Sequence, residues 1–140
     1  MAQGRNQDYE SPSERYRKEA KAAFKDTYQH LLNMEQSPDL NLVIKDMMAF
    51  MEKNADGVTS SQLRNIYSKI KPITEANKLK MQRPRLAYII ARQQTDKARL
   101  LMHLLDHLIE DVDGEKNTVN GFKQFFEAIV AYHKYFEKKS

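Results

Sequence analysis

Gly121-Phe-Lys-Gln-Phe-Phe-Glu-Ala-Ile-Val-Ala-Tyr-His-Lys-Tyr-Phe136 decides the fold. Phe122, Phe125, Phe126, Ile129, Val130, Tyr132, Tyr135 and Phe136 recur at helical spacing and form one wide apolar stripe. Asn120 and Gly121 stand at the start of this last helix. The segment before it repeats the pattern: Leu100, Leu101, Leu104, Leu105, Leu108 and Ile109 follow a start at Thr95 or Asp96, and Asp113 with Gly114 closes the run.

Further toward the N-terminus the same signals recur. Ser11, Pro12 and Glu14 give an N-cap, a first-turn proline and a capping-box acid, and Tyr16, Ala20, Ala23, Phe24, Tyr28, Leu31 and Leu32 then predict a helix from about 12 to 35. Ser37, Pro38 and Asp39 start a second helix through Leu40, Val43, Ile44, Met47, Met48, Phe50 and Met51, apolar over more than half its circumference and expected at the centre. Thr59 and Gln62 form another capping box before Leu63, Ile66, Tyr67 and Ile70. Pro72 ends that third helix, a short helical piece is expected from Thr74 to Gln82, and Pro84 breaks the chain again before Leu86, Tyr88, Ile89 and Ile90. No part of the pattern needs a sheet. The expectation is one compact all-α bundle of five to six helices over residues 11–140, preceded by a disordered tail, residues 1–10, with no periodic apolar face.

Composition narrows the function. The 140 residues contain no cysteine, which excludes disulfides, thiolate metal sites and thiol nucleophiles. No apolar run approaches the roughly 20 residues that cross a bilayer, and the first residues lack the apolar stretch of a signal peptide, so no membrane role and a cytoplasmic location are expected. There is no glycine-rich phosphate loop and no G-x-S-x-G, so neither an enzymatic activity nor a cofactor is expected.

Charge carries more information. Between Ser60 and Arg99 stand Arg64, Lys69, Lys71, Lys78, Lys80, Arg83, Arg85, Arg92, Lys97 and Arg99, opposed by Glu75 and Asp96 alone, in a chain whose net charge is +4. The positive charge is therefore concentrated in the middle of the chain, where a polyanion is the natural partner. Tyr67 and Tyr88 are interleaved there, with ring faces able to stack on a base. Arg64, Lys71, Lys78, Arg85, Arg92 and Arg99 are spaced by seven, a ridge that Pro72 and Pro84 divide into pieces. Thr59, Ser60 and Ser61 could add donors for an anion at a helix start, although capping alone explains them better.

Two other patterns have bland readings that win. His103, Asp106 and His107 approach the H-x-x-E-H zinc signature, but the aspartate is short and only His133 remains as a third ligand. Asp111, Asp113, Glu115 and Asn117 alternate like the opening of a calcium loop, but Lys116 replaces its glycine and Phe122 its bidentate glutamate. The acids from Asp106 to Glu115 could instead meet a basic partner surface. The methionines, including Met47, Met48 and Met51, read as core.

Three stretches together carry a family resemblance: Val58-Thr-Ser-Ser-Gln-Leu-Arg-Asn-Ile-Tyr67, Leu79-Lys-Met-Gln-Arg-Pro-Arg-Leu-Ala-Tyr-Ile-Ile-Ala-Arg92, and the terminal Gly121 to Phe136 segment. In this order they resemble the small subunit of the type III-A CRISPR interference complex, the Csm complex, over roughly residues 57–137. Ala91 stands where that family often has glycine. The resemblance implies a noncatalytic RNA-binding subunit acting in antiviral defence. Its partners would be guide RNA, target RNA, other effector subunits and head-to-tail copies of itself. The duplex would be held through its backbone, leaving sequence to base pairing. Charge and motif positions together select Arg64, Lys69, Lys71, Arg83, Arg85 and Arg92 as the phosphate-contacting surface. The rival reading is a protein-interaction adaptor whose basic surface docks an acidic partner. A DNA-binding helix-turn-helix is a third class, disfavoured by Pro84 in the segment that would enter the groove.

Overall fold

The computed structural model describes residues 10–137, which wind as six α-helices of nine residues or more and one five-residue helical turn. They are α1 Pro12–Phe24, α2 Leu40–Asn54, α3 Ser60–Ile70, the short α4 Ala76–Lys80, α5 Arg83–Ala91, α6 Asp96–Asp111 and α7 Val119–Phe136. No strand occurs among the described residues, as the helical periodicity predicts. The expected tail lies outside the described residues except for Glu10.

Side chains set the helix starts. The Ser11 hydroxyl accepts from the Glu14 amide while the Glu14 carboxylate accepts from the Ser11 amide, completing the capping box at α1. Asp39, Thr59, Thr95 and Thr118 each accept a backbone N–H from the first turn of α2, α3, α6 and α7. Each such cap contributes about 1 kcal/mol by satisfying a donor with no intrahelical partner.

Two stretches depart from expectation. The first helix stops at Phe24, and Lys25–His30 continues as 3₁₀ helix after a turn in which Lys25 takes φ 55°. The cause is tertiary: the buried Thr27 hydroxyl lies 2.7 Å from the Phe24 carbonyl oxygen and 2.8 Å from Asp46 Oδ2 on α2. That anchorage draws the chain off the helical path and carries Leu31 and Leu32 into the core. Pro84, expected as a break, lies in the first turn of α5, where a missing N–H forfeits no helical hydrogen bond.

One continuous core runs through the bundle, with Phe24, Met47, Met51, Leu101, Phe122, Phe125 and Phe126 fully enclosed. α6 packs against α1 and α5, and α7 packs against α2 and α3. α2, expected at the centre, touches both α1 and α7, but α6 is the most deeply buried helix. Tyr135, placed in the apolar stripe by sequence, is 71% exposed. At the start of α7, a Cβ on Gly121 would come within 1.9 Å of the Leu32 carbonyl oxygen, so only glycine permits this approach.

Candidate nucleic-acid interface

The basic segment folds into two groups on helices with different packing partners: α3 lies on α7, and α5 lies on α6. On α3 the core stripe is Leu63, Ile66 and Ile70, which leaves Arg64 and Lys69 exposed, with Lys71 exposed just past the end. At 100° per residue, Arg64 and Lys71 lie about 20° apart, whereas Lys69 lies about 140–160° from either. The spacing of seven therefore unites Arg64 with Lys71, and Lys69 belongs to the other flank.

Beside Lys71 the structure adds a residue that the sequence did not single out. Lys123 on α7 donates from Nζ to the Lys71 carbonyl at 3.0 Å and to the Ile73 carbonyl at 2.8 Å, supplying partners to the C-terminal end of α3. Together with Tyr67, Asn120, Gln124 and Glu127, these two lysines line a groove of about 250 Å³ between α3 and α7. Tyr67 is half-buried with its ring centroid 5.2 Å from that of Phe126, and burial, with Glu127 second, raises the pKa of its phenol. Its ring is a packing element of the α3–α7 contact.

On α5, Leu86 is buried and Ile89 and Ile90 pack beside the core, which turns Tyr88 and Arg92 outward. Arg85 and Arg92 share a flank with Tyr88 between them in sequence, and the Arg92 guanidinium sits 5.7 Å from the Tyr88 ring centroid. Arg83 faces the other way. Its Nε donates to Asp106 Oδ1 at 2.8 Å and its Nη2 to Asp106 Oδ2 at 3.3 Å, while Glu110 lies 3.7 Å from Nη1. The Asp106 hydrogen bond raises the Arg83 pKa above its ordinary value. Arg83 thus ties α5 to α6 while its side chain stays 35% exposed. Among the described residues, Arg64, Lys69, Lys71, Arg85 and Arg92 form no ion pair with a carboxylate, whereas Lys78, Arg83 and Lys97 do.

The acids from Asp106 to Glu115 are largely occupied within the fold. Arg17 on α1 reaches Glu110 at 2.6 Å and Asp111 at 3.6 Å, and Lys80 donates to the Glu110 carbonyl. Asp113 Oδ1 accepts from the Glu115 and Asn117 amides, closing a self-contained turn around Gly114 at φ 83°. These backbone bonds hold the Asp113 carboxyl below its usual pKa.

His103, His107 and His133 are engaged within the fold. Tyr16, His103 and His107 stack in sequence between α1 and α6, with centroid separations of 4.9 and 5.6 Å. Ser13 Oγ lies 2.7 Å from His107 Nε2, and burial pushes the His107 pKa down to about 4. His133 lies elsewhere, with Nε2 donating to the Val58 carbonyl at 2.8 Å, so the imagined third ligand is absent from this group. No cluster of three or more His, Cys, Asp or Glu suited to a metal occurs among the described residues. Thr59 caps α3 as the capping reading has it, whereas the Ser60 hydroxyl donates to Glu137 at 2.7 Å. No helix among the described residues is long and apolar enough to cross a membrane.

Fold and surface together define a class: a small all-α bundle presenting unneutralised cations on two separate helices. Within that class, the family model described as Csm2 Type III-A matches residues 35–139, three quarters of the chain. The protein belongs to the Csm2 Type III-A family, the small subunits of the multisubunit type III-A CRISPR complex. The match takes in α2 through α7 and leaves α1 outside it. Neither a curated protein nor a solved structure matches the chain.

Proposed function

We propose that this subunit binds RNA without catalysing a reaction on it, holding the guide RNA and target RNA duplex in position through phosphate contacts during antiviral defence. Arg64 and Lys71 on one side and Arg85 and Arg92 on the other are the principal contacts, with Lys69 reaching RNA or a neighbouring subunit from the far flank of α3. Arg83 supports the α5 surface from beneath. Other Csm subunits and head-to-tail copies of this chain are its protein partners, in the cytoplasm.

The observation that carries the reading is the set of exposed Arg64, Lys69, Lys71 and Arg92 with the half-buried Arg85, none of which has a carboxylate partner among the described residues, on a member of this family. Unpaired cations on a helix surface are well hydrated alone but release counterions when they neutralise phosphates, which favours a polyanion over a neutral partner. An A-form duplex exposes phosphates and 2′-hydroxyls far more readily than its base edges, matching a surface of charges that carries no base-reading pocket.

Affinity purification of the tagged protein from its native cells, with sequencing of co-purifying small RNA, tests the assignment. Repeat-derived guide RNA recovered with other Csm subunits is expected. The double substitution Arg64→Glu with Arg85→Glu should lower that RNA recovery strongly while the subunits still assemble. Loss of the protein partners with purified chain that never retains RNA would instead support the acidic-partner adaptor.

A further inference from the structure

We propose that Tyr88 and Arg92 on α5 form a stacking platform for an unpaired nucleobase, so that the subunit grips single-stranded RNA by a ring as well as by phosphates. The inference rests on the RNA-binding reading above and adds a ligand chemistry to it. Of the two tyrosines in the basic segment, Tyr67 has its ring packed near Phe126, whereas Tyr88 is 63% exposed. An exposed tyrosine ring in water is ordinarily free to rotate, but this one is held. Arg92, one turn further along, places its guanidinium 5.7 Å from the ring centroid and donates from Nη1 to the phenol oxygen at 3.0 Å.

The surroundings select the occupant. Pro84, Ala87 and Ala91 are the exposed neighbours on the outward face of α5, and their short side chains leave the ring standing above the surface where a flat group can lie on it. Arg85 and Arg92 flank the ring without carboxylate partners, and the chain from Ala76 to Thr95 contains no acidic residue. A purely apolar protein partner would leave two guanidinium groups uncompensated in the contact. A nucleotide supplies both a π-face for the ring and a phosphate for the guanidinium, the combination that single-strand-binding surfaces use. A base in an intact duplex is stacked between its neighbours and cannot reach the ring, so the platform distinguishes unpaired from paired RNA.

The test is titration of the full chain with a short single-stranded RNA carrying 2-aminopurine, and in parallel with the same RNA annealed to its complement. Wild type should quench the fluorescent base of the single strand, and Tyr88→Phe, which keeps the ring but loses the oxygen that Arg92 holds, should quench it less fully. Tyr88→Leu should lose the quenching and bind the single strand about tenfold more weakly, a loss on the scale of one stacked base, with duplex affinity unchanged. Arg64→Glu, distant in sequence from the platform, should weaken both RNAs while the quenching at saturation persists. If Tyr88→Leu binds and quenches like wild type while Arg64→Glu still weakens binding, stacking is wrong and RNA binding stands. An equal loss for both RNAs would make Tyr88 a backbone contact and overturn the platform. Failure of wild type to bind either RNA overturns both readings.

Discussion

Two backbone positions are set by contacts that no local sequence signal announces. Gly121 lies in a helix, where alanine would ordinarily gain about 1 kcal/mol in propensity. Here its Cβ would meet the Leu32 carbonyl oxygen at 1.9 Å, and the obstacle is backbone that cannot rotate away. Gly121→Ala should therefore destabilise the protein by about 2 kcal/mol or more, seen as a lower urea midpoint; an unchanged or higher midpoint would mean that the 31–33 segment gives way freely. Lys25 presents the opposite case, a side chain at φ 55° where glycine carries no steric penalty. Lys25→Gly should raise stability by about 1 kcal/mol, measured by the same denaturation. The sequence placed Gly121 correctly at a helix start but could not show why it is glycine, because the reason sits 89 positions away at Leu32.

At the level of elements, α1 and α6 are joined through groups that respond to pH. His107 is buried and neutral in the fold, with a pKa of about 4 against an ordinary 6.5. Burial is the main cause, Arg17 and His103 push the same way, and Asp106 and Glu110 oppose them. Burial also lowers the His103 pKa, with Arg15 and Arg99 adding to it and Asp106 opposing. As pH falls from 6.5 toward 4, the unfolded chain takes up a proton that folded His107 resists, so stability should drop across that window by up to about 3 kcal/mol. Above pH 6.5 both states are neutral and the effect is absent. His107→Gln should flatten the decline in urea midpoint between pH 7 and pH 4.5, and amide exchange in α1 should rise first in the wild type as pH is lowered. A variant with the wild-type slope would assign the acid sensitivity to another group. The helix starts at Ser11, Asp39, Thr59 and Thr95 were legible because each places its capping oxygen within three residues of the amide it serves. The end of α1 was not, since it depends on Thr27 meeting Asp46 across the bundle. The same limit governed the surface: by helix geometry, a spacing of seven sets Arg64 with Lys71 and Arg85 with Arg92. It could not reveal that Arg83 is held by Asp106 or that Lys123 arrives beside Lys71 from another helix.

Within the basic segment, Arg64, Lys69, Lys71, Arg85 and Arg92 stand on or beside α3 and α5 without a carboxylate partner among the described residues, and a bound RNA that meets both surfaces would neutralise about five phosphates. Affinity should then fall by roughly several hundredfold between 50 and 200 mM salt, in a titration at several ionic strengths. A flat response would mean that charge is not what holds the RNA. Arg64→Glu should reduce the steepness of that dependence, whereas Arg83→Gln should act first on stability by leaving the half-buried Asp106 carboxylate without its partner. The Arg17 contacts to Glu110 and Asp111 have a kinetic counterpart. The single Arg17 charge offsets one of these two negative charges close to its source, which weakens the repulsion reaching out to the Debye length of about 10 Å at 0.1 M salt. An approaching polyanion is therefore drawn by the cations without being turned aside by those acids. On the proposed RNA-binding role, Arg17→Ala would leave these acids without that partner and should slow association at low ionic strength while leaving the lifetime of the formed complex nearly unchanged, so that a cation touching no phosphate would govern how often RNA arrives.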